Sequence, residues 1–467
     1  MLSRNTFLFL FLVFSIFLSS IALFEYLGNK IYYIIFSFIS CFYLIYLTNK
    51  NSYFYENFIS VFLFSGLWLN FTIKISFFNS LFPEGVGFFD YKPASFDEVI
   101  NVCSISLVSI IFSSFIRRKI SIRLTNYSNK PKFVINKKIY LILFILFFIF
   151  AILISLFNFK FSIYQRSYVP KIELNFFILN FFKWFFIIGC TTFCACFINL
   201  YIDQYKKLPK KLIIIHVFIE FIINLSMLSR GMIFNSLSIA WGIFKKENYK
   251  KNYLFNSIYL ILIISLFFFG IKFIGDIRVE NNKKILDHCK NVEVSSNINR
   301  SSFNNTEIQN KYLKIFLSRL IGIEGVMAVQ SLDNKGYKLL FESFEENISL
   351  EKGISFFDSL KTDQRCNNEF SKSITLPGIV AYLYYSGSVV FVSISLILIT
   401  FFMCFIEKIM RVLFSEQLLF ISLVGQILAY RMWHFGFAPL NSIKLFLAIL
   451  MTVIFVYLIN KIFIKNL

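Results

Sequence analysis

Residues 139–157 read IYLILFILFFIFAILISLF, nineteen positions without one charged side chain. An α-helix rises about 1.5 Å per residue, so the run reaches roughly 28 Å, close to the hydrocarbon thickness of a bilayer. Comparable runs recur on both sides of it. They predict about twelve spans, at 6–24, 31–48, 54–73, 98–116, 139–157, 177–200, 212–225, 232–244, 253–271, 379–403, 417–430 and 443–460. The expected fold is an all-α integral membrane protein. Hydrophobic residues form 57% of the chain and charged residues 16%, well below the quarter or so usual in soluble domains.

The formal net charge is +21. Its placement argues for topology and against nucleic acid. With the N-terminus inside, the loop from Arg117 to Lys138 carries eight basic residues and no acid, and the basic segments 201–211 and 245–252 fall on the same side. Cytoplasmic loops carry such an excess, so both termini are predicted to be cytoplasmic. Residues 6–24 lack a small-x-small cleavage site and read as a first uncleaved span.

Three regions follow: a first bundle of about nine spans over 1–271, a large outer loop over 272–378, and a three-span bundle over 379–467. The loop holds 15 basic and 14 acidic residues, so it is polar yet nearly neutral. Within it, 311–332 has apolar residues at helical spacing, among them Leu313, Phe316, Leu317, Leu320 and Ile321. It reads as an amphipathic helix lying on the outer surface or over the bundle. Gly322 and Gly325 argue against an unbroken one. Of eight cysteines, only Cys289 and Cys366 fall in this loop. Pairing to each other and remaining free thiols are both open readings. The other six sit in or beside spans, where a thiol usually packs as a small apolar group.

Residues 212–244 form an unusual hairpin. Both ends are flanked by basic loops, yet each half has only about fourteen residues, roughly 21 Å of helix. The turn, Ser226-Met-Leu-Ser-Arg-Gly231, carries Arg230. It lines an outward-facing cavity on one reading and snorkels to outer head groups on the other. Glu220 in the same hairpin favours the cavity, because embedded ionisable groups tend to serve a site.

The outer side also presents Arg166 in the loop 158–175, Arg278 and Arg319 in the large loop, and Arg431 with His434 in the short loop 431–442. A guanidinium is a permanently charged planar fork that suits phosphate oxygens. Any one of the five fits a lipid head group or a salt bridge equally well. Together they suit a pyrophosphate. His434 is a candidate general base, and Glu324 competes with it, although a glutamate in a helix more often pairs with a neighbour such as Arg319. Phosphate loops, metal-binding His/Cys arrays and nucleophile elbows are missing from the sequence, so no cofactor or metal is expected.

The segments Leu228-Ser-Arg-Gly231, Arg319-Leu-Ile-Gly-Ile-Glu-Gly-Val-Met-Ala-Val329 and Leu376-Pro-Gly-Ile-Val-Ala-Tyr-Leu-Tyr-Tyr-Ser-Gly-Ser388, with the large late loop, resemble the Wzy-like family of O-antigen and capsule repeat-unit polymerases. The resemblance implies a glycosyltransferase of the bacterial inner membrane. Such an enzyme moves a growing glycan from undecaprenyl pyrophosphate onto the next lipid-linked repeat unit at the periplasmic face, in lipopolysaccharide or capsule biosynthesis. Its implied partners are that oligosaccharide carrier, membrane lipids, a chain-length regulator and a flippase, with no nucleic acid. Arg166, Arg230, Arg278, Arg319 and Arg431 would offset charge on the departing pyrophosphate, and His434 or Glu324 would take the acceptor proton. The same layout fits an O-antigen ligase, which transfers the glycan to lipid A core. A lipid-linked oligosaccharide flippase is a third reading, weakened by the missing two-half repeat and the size of the loop.

Overall fold

A computed structural model describes residues 4–49, 51–78, 80, 82, 86, 88–120, 137–165, 172, 174–229, 233–245, 253–289, 320–344, 356–357, 376–414, 417–436 and 439–465. Among these the regular structure is entirely helical. In chain order the helices are α1 (Arg4–Glu25), α2 (Lys30–Leu47), α3 (Phe54–Phe77), α4 (Pro93–Lys119), α5 (Lys137–Phe161), α6 (Phe176–Tyr205), α7 (Lys210–Ser226) and α8 (Ile233–Lys245). They continue with α9 (Tyr253–Cys289), α10 (Ile323–Gln330), α11 (Tyr337–Phe344), α12 (Ile379–Tyr384), α13 (Val389–Leu413), α14 (Leu418–Trp433) and α15 (Pro439–Lys465).

Eight of the described helices are long and apolar enough to cross a membrane: α1 to α6, α9 and α13. Apolar segments of α14 and α15 are shorter. Large side chains stand outward on these helices, Phe38 being 72% exposed, Ile16 64% and Leu398 64%. Such a surface is unfavourable in water and natural in lipid. The chain is an all-helical multi-pass membrane protein. The predicted hairpin appears as two short helices, α7 with 17 residues and α8 with 13.

Two predicted elements differ in the structure. The span expected at 379–403 is interrupted: α12 ends at Tyr384, a turn follows, and the long helix begins only at Val389. The amphipathic helix expected over 311–332 is helical, among its described residues, only from Ile323 to Gln330. Gly322 ends it with φ +151°, a conformation that side-chain-bearing residues rarely adopt. The helix also has no solvent face, since Ile323 through Val329 are all buried. Its apolar spacing is that of a segment enclosed on every side.

The chain forms two compact units. The first comprises 1–122, 285–405 and 428–443; the second comprises 123–284, 406–427 and 444–467. In the first, α2 packs along α4 and α1 along the second half of α3. Phe71 sits among Tyr26, Tyr33, Phe36, Phe82 and Phe96, stacked on Phe82 and tilted or edge-on to the others. The N-terminal end of α4 is tied by Asp97, which accepts from the Tyr26 hydroxyl at 2.7 Å and from the Asn29 amide at 3.0 Å. At its other end the Arg117 guanidinium makes two 2.9 Å bonds to buried Glu56. Ser109 and Ser393, 2.6 Å apart, join α4 to α13. In the second unit α5 packs on α7, and α7 on α6 and α8. Trp184 donates to Thr452 at 2.9 Å, and Ser422 to the Ser238 carbonyl at 2.7 Å.

Candidate functional site

The first unit gathers three distant stretches at one junction: residues 320–332 of the large loop, 376–388 before α13, and 430–436 at the end of α14. The loop segment enters between the spans because α3 is built to receive it. A π-helical turn over Phe64–Leu69 carries Gly66 against the carbonyl of Ile321. A Cβ at position 66 would stand 1.9 Å from that oxygen, so only glycine fits. The same carbonyl accepts from the Trp433 indole at 2.6 Å, and Trp433 stacks on Phe62 with centroids 4.8 Å apart.

Glu324 follows in the first turn of α10. Its carboxylate pairs with Lys74 and accepts from Asn70 Nδ2 at 3.0 and 2.9 Å. The Asn70 amide also donates to the Leu320 carbonyl at 2.7 Å. Asn70 and Lys74 lie four residues apart on one face of α3, so a single helix supplies both partners. Lys74 is 1% exposed. So engaged, the carboxylate fixes the loop segment to α3.

The far end of α10 is fixed by a second polar set. Glu98 accepts from the Tyr384 hydroxyl at 2.6 Å and from Gln330 at 3.0 Å. Lys335 donates to the Gln330 carbonyl at 2.6 Å and stands 3.9 Å from Glu98. Glu98 is half-exposed, so this set opens outward where the Lys74 pair is enclosed.

His434 and Arg431 flank Trp433. The His434 ring lies 4.0 Å from the Tyr430 ring and 4.5 Å from that of Trp433. Its Nδ1 is 3.1 Å from the Tyr430 carbonyl oxygen. A carbonyl only accepts, so the neutral ring carries its hydrogen on Nδ1, and Nε2 is the basic nitrogen. The Arg431 guanidinium lies 5.8 Å from the Tyr430 ring centroid.

The second unit holds the other arginine-bearing loops. Asn158 donates to the Ser226 carbonyl at 3.0 Å and accepts from the Tyr164 amide at 2.7 Å. Gln165 donates to the Ser226 carbonyl at 3.1 Å. The turn after α5 is therefore joined to the turn after α7. Arg166, Arg230, Arg319 and Cys366 lie outside the described residues. The side chains of Arg278 and Cys289 do too, although both positions belong to α9.

Of the residues anticipated from sequence, the junction brings Glu324, Arg431 and His434 together with Trp433. Sequence reading missed Asn70, Lys74 and Glu98. The usable signal was an Asn and a Lys four residues apart in an apolar helix. No metal-binding cluster of His, Cys, Asp or Glu occurs among the described residues. An apolar groove of about 570 Å³ lies along α2, α4 and α13, lined by Tyr32, Ile35, Ile105, Val108 and Ile397 and by the hydroxyl of Ser393. Its lining suits hydrocarbon, not a charged group.

No family model, curated protein or solved structure matches this chain.

Proposed function

We propose that the protein polymerises lipid-linked oligosaccharides, transferring a glycan from a polyprenyl-pyrophosphate carrier to a hydroxyl of another lipid-linked repeat unit at the outer face of the bacterial inner membrane. The observation that carries this reading is the bond from Trp433 to Ile321, 2.6 Å long. It pins the loop segment that follows Arg319 to the helix end bearing Arg431 and His434. A large polar loop anchored inside the bundle beside a basic imidazole suits chemistry on a substrate whose tail stays in lipid.

In this mechanism the acceptor hydroxyl gives its proton to His434 Nε2 while its oxygen bonds to the anomeric carbon of the donor sugar. The bond from that carbon to the pyrophosphate breaks, and the pyrophosphate leaves with the electron pair. Arg431, and Arg319 of the same unit, offset the charge that builds on it; the resemblance assigns the same role to Arg166, Arg230 and Arg278. Glu324 acts here as a positioning residue, because its carboxylate is committed to Lys74 and Asn70. The reaction draws its driving force from the pyrophosphate ester, so it needs neither nucleotide nor metal. The apolar groove offers a path for a hydrocarbon chain.

The test is the purified protein with one defined polyprenyl-pyrophosphate-linked repeat unit. Longer glycans appearing with free polyprenyl pyrophosphate are expected, and His434→Ala and Arg431→Ala, each still folded, should lower the rate by about a hundredfold or more. Glycan transfer only to added lipid A core, or movement of the lipid across vesicles without lengthening, would overturn the proposal.

A further inference from the structure

The second unit encloses an ionisable group that the transfer reaction does not use. Glu220, in α7, is fully buried. Its Oε1 accepts from the Thr191 hydroxyl of α6 at 2.6 Å, and Thr191 in turn accepts from the Asn235 amide of α8 at 3.2 Å. Its Oε2 has no hydrogen-bond partner among the described residues. His216 lies one turn earlier on the same face of α7, also fully buried, and neither ring nitrogen has a partner there. The buried Ser236 hydroxyl of α8 is likewise unpartnered among the described residues.

Among the described residues no cation is paired with Glu220. Cys190 of α6 and Tyr259 of α9 lie within electrostatic range of Glu220, and Cys194 is beside Cys190. Thiols and phenols are never cationic, so none of the three can offset a negative charge on Glu220. Lys210 and Lys211 are exposed at the start of α7, and Lys272 and Asp276 of the neighbouring α9 are exposed as well. Lys137, Lys138, Lys160 and Lys245 occupy helix ends. Lys183 and Asp203 are about two and three turns along α6 from Thr191. An ionised carboxylate has about four lone-pair sites to satisfy, and here its polar support among the described residues is the Thr191 hydroxyl with the Asn235 amide beside it. Such a charge is far costlier to bury than the neutral acid.

We propose that Glu220 is a proton-binding site in the interior of the second unit, holding a proton on Oε2 while Thr191 and Asn235 fix Oε1. The ligand is the proton itself. A metal cation would instead draw several of the oxygens around it into coordination, and among the described residues only one hydrogen-bonded chain converges on the carboxyl. This site is independent of the glycan transfer proposed above.

A hydrophobic carbodiimide distinguishes the states, because it reacts with the acid and not with the carboxylate. The acid proton passes to one carbodiimide nitrogen, the carboxyl oxygen adds to the central carbon, and the adduct rearranges to a stable N-acylurea with nothing released. The full chain in lipid nanodiscs is treated with dicyclohexylcarbodiimide, and the Glu220 peptide is quantified by mass spectrometry. Labelling is expected at about pH 6.5, falling about tenfold or more by about pH 10, and the same in sodium or choline chloride. It should be absent from Glu220→Gln, and Thr191→Val should extend it to higher pH by removing the donor that favours the anion. If Glu220→Gln fails to fold, the wild-type profile decides alone. An intact protein unlabelled at about pH 6.5, whose peptide labels once unfolded, would overturn the proposal. Suppression of labelling by sodium would overturn it equally, by identifying a metal-cation site.

Discussion

Lys74 of α3 and Glu324 of α10 form a buried ion pair, separated by 250 residues in sequence. Asn70 adds hydrogen bonds to both carboxylate oxygens, so the pair is geometrically supported. Buried pairs of this kind contribute little over an apolar replacement, yet losing one partner strands a charge. Lys74→Met should therefore destabilise the protein by about 3–5 kcal/mol. Lys74→Met with Glu324→Leu should recover most of the loss. Thermal unfolding of the two single variants and the double variant in one detergent closes the cycle. Additive losses would show that the two side chains do not act as a pair.

Gly66 tests the docking of the loop segment directly. Alanine there places its methyl 1.9 Å from the Ile321 carbonyl, a backbone atom that yields only if the segment withdraws. Gly66→Ala is expected to release residues 320–323 from α3, seen as faster amide exchange and a new protease cut in that stretch. An unchanged exchange pattern would mean that the contact is looser than the structure has it.

In the second unit, Asn158 is the joint between two turns. It bonds to Ser226 on one side and Tyr164 on the other. Asn158→Leu keeps the volume but leaves the Ser226 carbonyl with fewer donors, at a cost of about 1–3 kcal/mol. Exchange should rise at 162–165 and 226–229 together. A rise in one turn alone would contradict a shared joint.

The long spans were legible because a bilayer demands about twenty apolar residues in line, and 139–157 or 253–271 satisfy that without ambiguity. Charge asymmetry likewise made the hairpin at 212–244 visible as an irregularity. The spacing of 311–332 left open whether the segment lies on the outer surface or over the bundle, because helical spacing records which residues are apolar, not how many sides are covered. Its partners lie in α3 and α14, and nothing local in the sequence announces contacts at that separation. Gly387 and its neighbours hid the break before α13, since a short turn between two apolar stretches leaves the overall hydropathy intact.

Asp90, in the loop before α4, is exposed and accepts from the Lys92 backbone amide at 3.1 Å, with the Lys92 ammonium at 3.0 Å. The Ser95 hydroxyl first, and Lys92 after it, hold its carboxyl down to about 2. A depressed carboxyl contributes stability that is fully present above its unfolded value, about 3.9, and that is lost as pH falls through the folded value. Asp90→Asn should thus unfold more readily than wild type at neutral pH, and the two should converge as pH falls from about 4 to about 2. Paired melting curves across that window check it, and a gap that persists at the acid end would rule out Asp90 as the titrating group.

Trp433 separates a role in anchoring from a role in chemistry. Phe at this position keeps a ring against Phe62 but removes the indole donor, leaving the buried Ile321 carbonyl without that bond. A loss of about 1–3 kcal/mol in stability follows from the unsatisfied acceptor. If the bond also holds His434 in register with the loop segment, Trp433→Phe should lower kcat for glycan lengthening while KM for the lipid-linked unit stays near its original value. A variant that loses stability but retains full kcat would confine Trp433 to the scaffold and remove the observation on which the proposed function rests most heavily.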